Sequence, residues 1–203
     1  MQLVIIRHAL PRRVDGGSGT PADPELSDAG HAQAQHLADY LAGEGVAAVY
    51  SSPQRRAIQT AEPLTRLLEL PAVVVDGVAE YDVHSDRYIP VEEMRNDPSL
   101  VESLADYSPD ERTAFRQRVL DSMGAIAAAH PGEKVAVVCH GGVINAYLID
   151  VLDLRDKDTA GFFLPGYTSV HRVLVGRAGR RTVIAINEVA HLRGTGLPVG
   201  VHG

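Results

Sequence analysis

The sequence predicts an α/β fold, a three-layer α/β/α sandwich around a mostly parallel sheet with an antiparallel edge strand, plus a small cap segment. Three observations predict it. Short apolar runs at residues 3–6, 46–50, 73–75 and 134–139 alternate with stretches of helical period, the order that builds parallel strands joined by helical crossovers. The last part of the chain changes character into two β-rich runs, residues 168–175 and 181–186, separated by Gly176 and Gly179, which reads as a hairpin. At 203 residues the chain is long enough for one generous domain and short for two, so residues 1–203 are read as a single domain.

Taken in order, Leu3, Val4, Ile5 and Ile6 suit a strand buried on both faces, and the run stops on Arg7-His8. The carboxyl ends of such strands are where open α/β sheets hold ligands. Residues 12–24, rich in Gly, Pro and Asp without an apolar period, read as an irregular loop beside that edge. Ser27 or a neighbour then caps a helix whose Ala34, Leu37, Ala38 and Leu41 share a face, and Gly43 and Gly45 end it. The second apolar run leads through Ser51-Ser52-Pro53 into a helix over about residues 53–70, which puts Arg56 in its first turn. The third run ends at Asp76-Gly77 and delivers two acids, Glu80 and Asp82.

Residues 84–109 are polar and interrupted by Pro90, Pro98 and Pro109, and read as a cap of short helices over the site. Ser108-Pro109-Asp110-Glu111 opens a strong helix to about Ala129, with Phe115, Val119, Met123 and Ile126 as its core stripe. The fourth run ends on His140-Gly141-Gly142, ahead of a helix over residues 143–152. The Gly-rich tail after His191 is expected to be mobile.

Composition narrows the function. With 19 Lys plus Arg against 26 Asp plus Glu, the net charge of −7 argues against a broad grip on nucleic acid, so any anion has to be held by a local cluster. No window is apolar enough to span a membrane. A single cysteine, Cys139, makes no internal disulfide, and the first strand begins almost at the amino terminus with no leader ahead of it, so a cytoplasmic location is expected. Cys139 itself reads as a small core residue.

Three apolar runs thus end on cationic or protonatable groups: Arg7-His8, Ser51-Ser52 leading to Arg56, and His140-Gly141-Gly142. Either Arg7-His8 dipeptide partner could be structural, a salt bridge and a packed ring. Parallel strands bring the three ends to one edge, and two Arg with two His form an anion pocket to which the helix amino termini near Pro53 and Gly141 would add N–H groups. Four donor groups suit phosphate better than a carboxylate. Nine histidines raise the question of a metal, but none stand at zinc-protease spacing around a Glu and no Cys pair exists, so no metal or other cofactor is expected. His31, His36, His130, His171 and His202 read as surface or capping residues; His84 and His191 are near enough to approach the pocket but read as structural.

The set resembles the histidine phosphatase superfamily, the phosphoglycerate mutase-like group, over nearly the whole chain. Ile6-Arg7-His8-Ala9 is similar to its Arg-His-Gly opening and Leu26-Ser27-Asp28-Ala29-Gly30 to its Leu-Thr-x-x-Gly helix start. Residues 49–52 through 56–61 resemble its second arginine motif, Val138-Cys139-His140-Gly141-Gly142 its second histidine motif, and Asn187 through His191-Leu192 a frequent carboxyl-terminal motif. The resemblance implies a phosphohistidine mechanism: His8 as nucleophile, Arg7, Arg56 and His140 as phosphate holders, and Glu80 at the position of the proton donor, with Asp82 the rival acid.

The chain departs from the pattern at Ala9 in place of Gly, at Val14 where many members carry a phosphate-binding Asn, and at Gly166 or Tyr167 near another frequent Asn. Arg12 and Arg13 are candidates for a second anionic group on the substrate, with solvated surface arginines as the alternative. The reading is a phosphomonoesterase acting on a small phosphorylated substrate, with neither nucleic acid nor membrane as partner and homodimer formation left open. A mutase-type phosphotransferase is the nearest alternative, and a non-catalytic phosphate-ligand binder the alternative from another class.

Overall fold

Two strands buried on both faces set the frame. β1 (Gln2–Arg7) and β4 (Lys134–Cys139) pair in parallel at the centre of a six-stranded sheet, with Leu3 to Ile6 and Val135 to Cys139 fully buried. The structure is a computed structural model describing residues 1–17, 19–90, 93, 107–154 and 162–200. Outward from the centre on one side lie β2 (Val46–Ser51) and β3 (Ala72–Val74), both parallel to their neighbours. On the other lie β5 (Val170–Val175), antiparallel to β1, and β6 (Arg181–Glu188), which closes the hairpin at the edge. β3 is a short edge strand with Val73 and Val74 exposed.

Side chains alternate across a strand, so β1 and β4 feed two apolar layers. Val4, Ile6, Ala136 and Val138 meet α1 (Asp28–Leu41) and α2 (Arg55–Leu68) through Leu37, Leu41, Ala57 and Leu64. Leu3, Ile5, Val135 and Val137 meet α3 (Pro109–Ala129) and α4 (Gly141–Val151) through Val119, Met123, Ile144 and Leu148. Each fully buried Leu or Ile is worth about 1.5–3 kcal/mol. The expected stripe of Phe115, Val119, Met123 and Ile126 is the buried face of α3.

The helix starts are chemically specified. Ser27 accepts from the Gly30 amide at 3.1 Å, and Ser108 with Glu111 forms a reciprocal capping box. A β-carbon at Gly30 would collide with the Leu10 carbonyl, which accepts from both the amide and the hydroxyl of Ser27 at 3.0 Å. That close approach seats α1 against the chain leaving β1. α2 begins at Arg55 with Gln54 as its cap, two residues later than the Pro53 start expected from sequence. Among the described residues no helix is long and apolar enough to cross a membrane.

Three expectations are corrected or bounded. His171 is no surface residue: β5 is covered on both faces, so its ring is fully buried, accepting from the Asn187 amide through Nδ1 at 3.3 Å and facing Ser169 Oγ at 3.1 Å. The tail after His191 is tied down as far as it is described, since Gln33 Nε2 donates to the Pro198 carbonyl and the Tyr167 amide donates to the Val199 carbonyl at 2.9 Å. Of the cap expected over residues 84–109, residues 91, 92 and 94–106 lie outside the described residues. Its first part pairs with the loop after β1, with the Val14 amide donating to the Tyr88 carbonyl at 2.9 Å and the Tyr88 amide returning to Val14 at 2.8 Å.

Candidate active site

Sheet register brings the strand ends together. Arg7 stands opposite Cys139, and Ser51 opposite Val138, so His8, Ser52 and His140 emerge side by side where β1, β2 and β4 stop. The His8 amide donates to the Cys139 carbonyl at 2.9 Å and the Ser52 amide to the Val138 carbonyl at 3.0 Å, which fixes both departures from the sheet. The His8 and His140 rings lie 5.1 Å apart between centroids. Arg7, His8, Arg56 and His140 are all at least 95% buried, an expensive arrangement for two guanidiniums unless charge and hydrogen bonds offset it.

The tautomer of His8 follows from its partner. Nδ1 lies 2.7 Å from the Ala9 carbonyl, which can only accept, so Nδ1 carries the proton and Nε2 the lone pair. Burial first, then the charges of Arg56 and Arg7, hold the His8 pKa well below the usual histidine value, so the ring is neutral. His140 is held low by the same burial and by Arg56, His8 and Arg7. Its Nε2 is 2.7 Å from Ser52 Oγ, while the other acceptor near that hydroxyl among the described residues, Gln54 Oε1, is 3.5 Å away. The Ser52 proton therefore goes to Nε2, which leaves Nδ1 of His140 as a donor.

That donor, together with Nε and Nη1 of Arg56, is buried and makes no hydrogen bond among the described residues. Three buried N–H groups without acceptors are a specification for an oxygen-rich anion. Arg56 Nη2 is held by both oxygens of Asp82 at 2.8 and 2.9 Å. Arg7 is anchored through Nη1 to the Pro165 carbonyl at 2.6 Å and lies 4.3 Å from the ring centroid of Tyr167. Tyr88 covers Arg56 at 4.6 Å and sets its ring edgewise to His8 at 6.5 Å.

Glu80 is partly buried, one oxygen accepting from the Gly142 amide at 2.7 Å and the other from the Tyr81 amide at 3.0 Å. Burial first, and then the charge of Asp82, raise its pKa above the usual carboxyl value despite those two amides and Arg56. Two carboxylates two residues apart therefore occupy different surroundings: Asp82 is committed to Arg56, and Glu80 is inclined to carry a proton. The helix amino termini are used otherwise than the sequence suggested, because the Gly142 amide is taken by Glu80 and the Arg55 amide donates to Asp23 at 2.8 Å.

Arg12 and Arg13 are engaged at the surface, Arg12 with Glu25 and Asp28 and Arg13 with Asp15 and Glu93. His84 is exposed, and His191 Nε2 lies 2.8 Å from Thr168 Oγ1 with its ring stacked on Tyr40, so neither joins the cluster. The methyl of Ala9 points into a small apolar cluster with Leu26 and Ala34. Four residues of the site, Ser52, Gln54, Tyr88 and Tyr167, were not singled out from sequence as part of the anion cluster; the buried polar pair Ser52 and Gln54 at a strand-to-helix turn was the available signal.

A family model described as the histidine phosphatase superfamily (branch 1) matches residues 3–188. A metal-independent phosphoserine phosphatase of Arabidopsis thaliana is 27% identical over 211 residues, spanning 96% of this chain and 84% of that protein. Among solved structures, phosphoserine phosphatase from Entamoeba histolytica in complex with 3-phosphoglyceric acid has a TM-score of 0.72 at 20% identity, covering 94% of this chain and 98% of that one. Mycobacterial glucosyl-3-phosphoglycerate phosphatase with inorganic phosphate has a TM-score of 0.72 at 23% identity, covering 94% and 98%. These two share the fold.

Proposed function

The chain belongs to the histidine phosphatase superfamily (branch 1), and on that premise we propose that it hydrolyses phosphate monoesters of small molecules through a phosphohistidine on His8. The observation that carries the reading is the neutral His8 ring, proton on Nδ1 and lone pair on Nε2, set beside three buried N–H donors that lack an acceptor among the described residues. In the first step the Nε2 lone pair attacks phosphorus, the bond from phosphorus to the ester oxygen breaks, and Glu80 gives its proton to the leaving oxygen. In the second step the Glu80 carboxylate takes a proton from water as the water oxygen attacks phosphorus, and the bond from phosphorus to Nε2 breaks. Arg7, Arg56 and His140 hold the three non-bridging oxygens throughout, and His140 is able to take up a proton once the anion offsets the neighbouring arginines.

Neither step uses a metal ion. Phosphatases among the relatives support hydrolysis, and the family's mutases use the same first step, so transfer to a second alcohol is the competing fate of the phosphohistidine. Tyr88, delivered by the first part of residues 84–109, supports reading that segment as a cover over the site. The single buried Cys139 fits a reducing cytoplasm. The test is release of phosphate from a chromogenic ester, with protein quenched in denaturant at alkaline pH and assayed for base-stable phosphate that acid then releases. Hydrolysis with labelling in the native protein and neither in His8→Ala is expected. Phosphate binding without turnover in the native protein would make this a ligand-binding module instead.

A further inference from the structure

The carboxylate of Asp82 lies outside the catalytic steps above, yet two groups beside it, Arg56 and Glu80, belong to them. Both of its oxygens reach Nη2 of Arg56, at 2.8 and 2.9 Å, and Oδ1 also accepts from Gln54 Nε2 at 2.9 Å. The other end of the same carboxamide, Gln54 Oε1, accepts from the Glu80 amide at 2.9 Å. One buried glutamine therefore clasps the Asp82 side chain and the Glu80 backbone together at the start of α2, two residues before Arg56. We propose that Asp82 is the positioning residue of this site: it turns Arg56 so that Nε and Nη1 are left for the phosphate, and, tied through Gln54 to the Glu80 backbone, it sets a negative charge beside the acid.

The geometry for the first half is the contrast within one guanidinium. Nη2 is held by a carboxylate, while Nε and Nη1 are buried and without hydrogen-bond partners among the described residues. A guanidinium free to rotate would present a different edge, so the bond at Nη2 decides which donors remain. For the second half, every charged or polar group around Glu80 has to be counted. Arg56 on α2 and Arg118 on α3 favour the carboxylate, as do the amides of Tyr81 and Gly142; on β4, Cys139 is uncharged, its thiol pushed well up by burial. Against these, Asp82 is the negative neighbour, and its effect on Glu80 ranks next after burial. Tyr81 has its hydroxyl pushed up to about 12 and is neutral at working pH.

The inference rests on the phosphatase reading, and the experiment separates the two. Asp82→Asn removes the charge at constant size, and Asp82→Glu restores it one methylene further out. Glu80 titration is followed by carboxyl carbon NMR in the native protein and both variants, alongside pH profiles of kcat/KM and the inhibition constant of inorganic phosphate. In Asp82→Asn the Glu80 pKa and the alkaline limb of the profile move to lower pH together, by about one unit, and phosphate binds about tenfold more weakly. In Asp82→Glu both readouts return toward native. A folded Asp82→Asn protein with unmoved Glu80 titration and native phosphate affinity overturns the positioning role while leaving hydrolysis and His8 labelling untouched. If Asp82→Asn does not fold, failure of Asp82→Glu to keep the native limb overturns it in turn. A native protein that shows no hydrolysis removes both readings.

Discussion

The Gly142 amide donates to Glu80 Oε2 at 2.7 Å, and a β-carbon on residue 142 would collide with the other carboxyl oxygen. Glu80 can therefore reach the first turn of α4 only because that residue has no side chain. The substitution Gly142→Ala forces the carboxyl away from its place while leaving the two histidines and two arginines where they are. The expected result is a loss of about 100-fold in kcat, the lower end of what a positioned general acid supplies, with the inhibition constant of inorganic phosphate within about twofold. Steady-state kinetics with a poor and a good leaving group check it: the loss should shrink for the better leaving group, which needs less help from an acid.

His140 is oriented by Ser52, whose hydroxyl lies 2.7 Å from Nε2. In Ser52→Ala the ring keeps its place in a buried setting but loses the donor that fixes its proton on Nδ1. Leaving a buried polar atom unmet costs about 1–3 kcal/mol, so phosphate affinity and kcat/KM should each fall at least about fivefold, with Ser52→Thr recovering most of it. Isothermal titration with inorganic phosphate measures the first and ester hydrolysis the second. Unchanged phosphate affinity in Ser52→Ala would remove His140 from the set of phosphate holders.

Much of this arrangement was legible in the sequence because strand burial is a one-dimensional signal. Runs such as Leu3 to Ile6 end where the core ends, and polar residues at that point stand at the sheet edge, so Arg7, His8 and His140 came out together from pattern alone. The division of labour between Glu80 and Asp82 is not written there, since it depends on which carboxylate meets Arg56 across from α2. Tyr88 and Tyr167 come from irregular segments without a period, and their contacts are set by the folds of other loops. His171 was misread because alternation fails as a guide for a strand covered on both sides, where a buried ring has only the Asn187 amide and Ser169 to identify it.

Ala9, the departure from glycine beside the nucleophile, is a packing residue. Its φ is not in the positive region, its amide donates to Thr60 Oγ1 at 2.9 Å, and its methyl meets Leu26 and Ala34. Reverting it with Ala9→Gly removes a buried methyl and adds backbone freedom in the unfolded chain, each worth about 1 kcal/mol or less. The expected outcome is a Tm lower by about 2–4 °C per kcal/mol lost, with kcat and KM within about twofold of native. A thermal melt and one kinetic curve decide it, and a large gain or loss of kcat would show that the methyl does act on the pocket.

Four histidines, His8, His140, His171 and His191, are held below the usual value of 6.5 chiefly by burial, His171 at about 3 and His191 at about 4. The sign of the stability effect follows from proton binding. Above pH 6.5 folded and unfolded forms both carry these rings neutral, and no stability depends on pH through them. As pH falls below 6.5 the unfolded chain takes up protons that the folded protein refuses, so stability is lost progressively down toward each folded value, at about 1.4 kcal/mol per pH unit per ring. Paired carboxylates such as Glu44, held low by Arg172, add their loss only below about 4.5. Glu80, raised above the usual carboxyl value, acts in the opposite sense, taking up its proton more readily in the folded form, and offsets part of one ring's share. The urea midpoint should therefore drop between pH 6.5 and 5, before the paired carboxylates contribute. Saturating inorganic phosphate should recover part of that drop, because an anion against His8 and His140 favours their charged forms and binds only the folded protein. A midpoint flat over this window, or one that phosphate leaves unmoved at pH 5.5, would contradict neutral rings at the anion cluster.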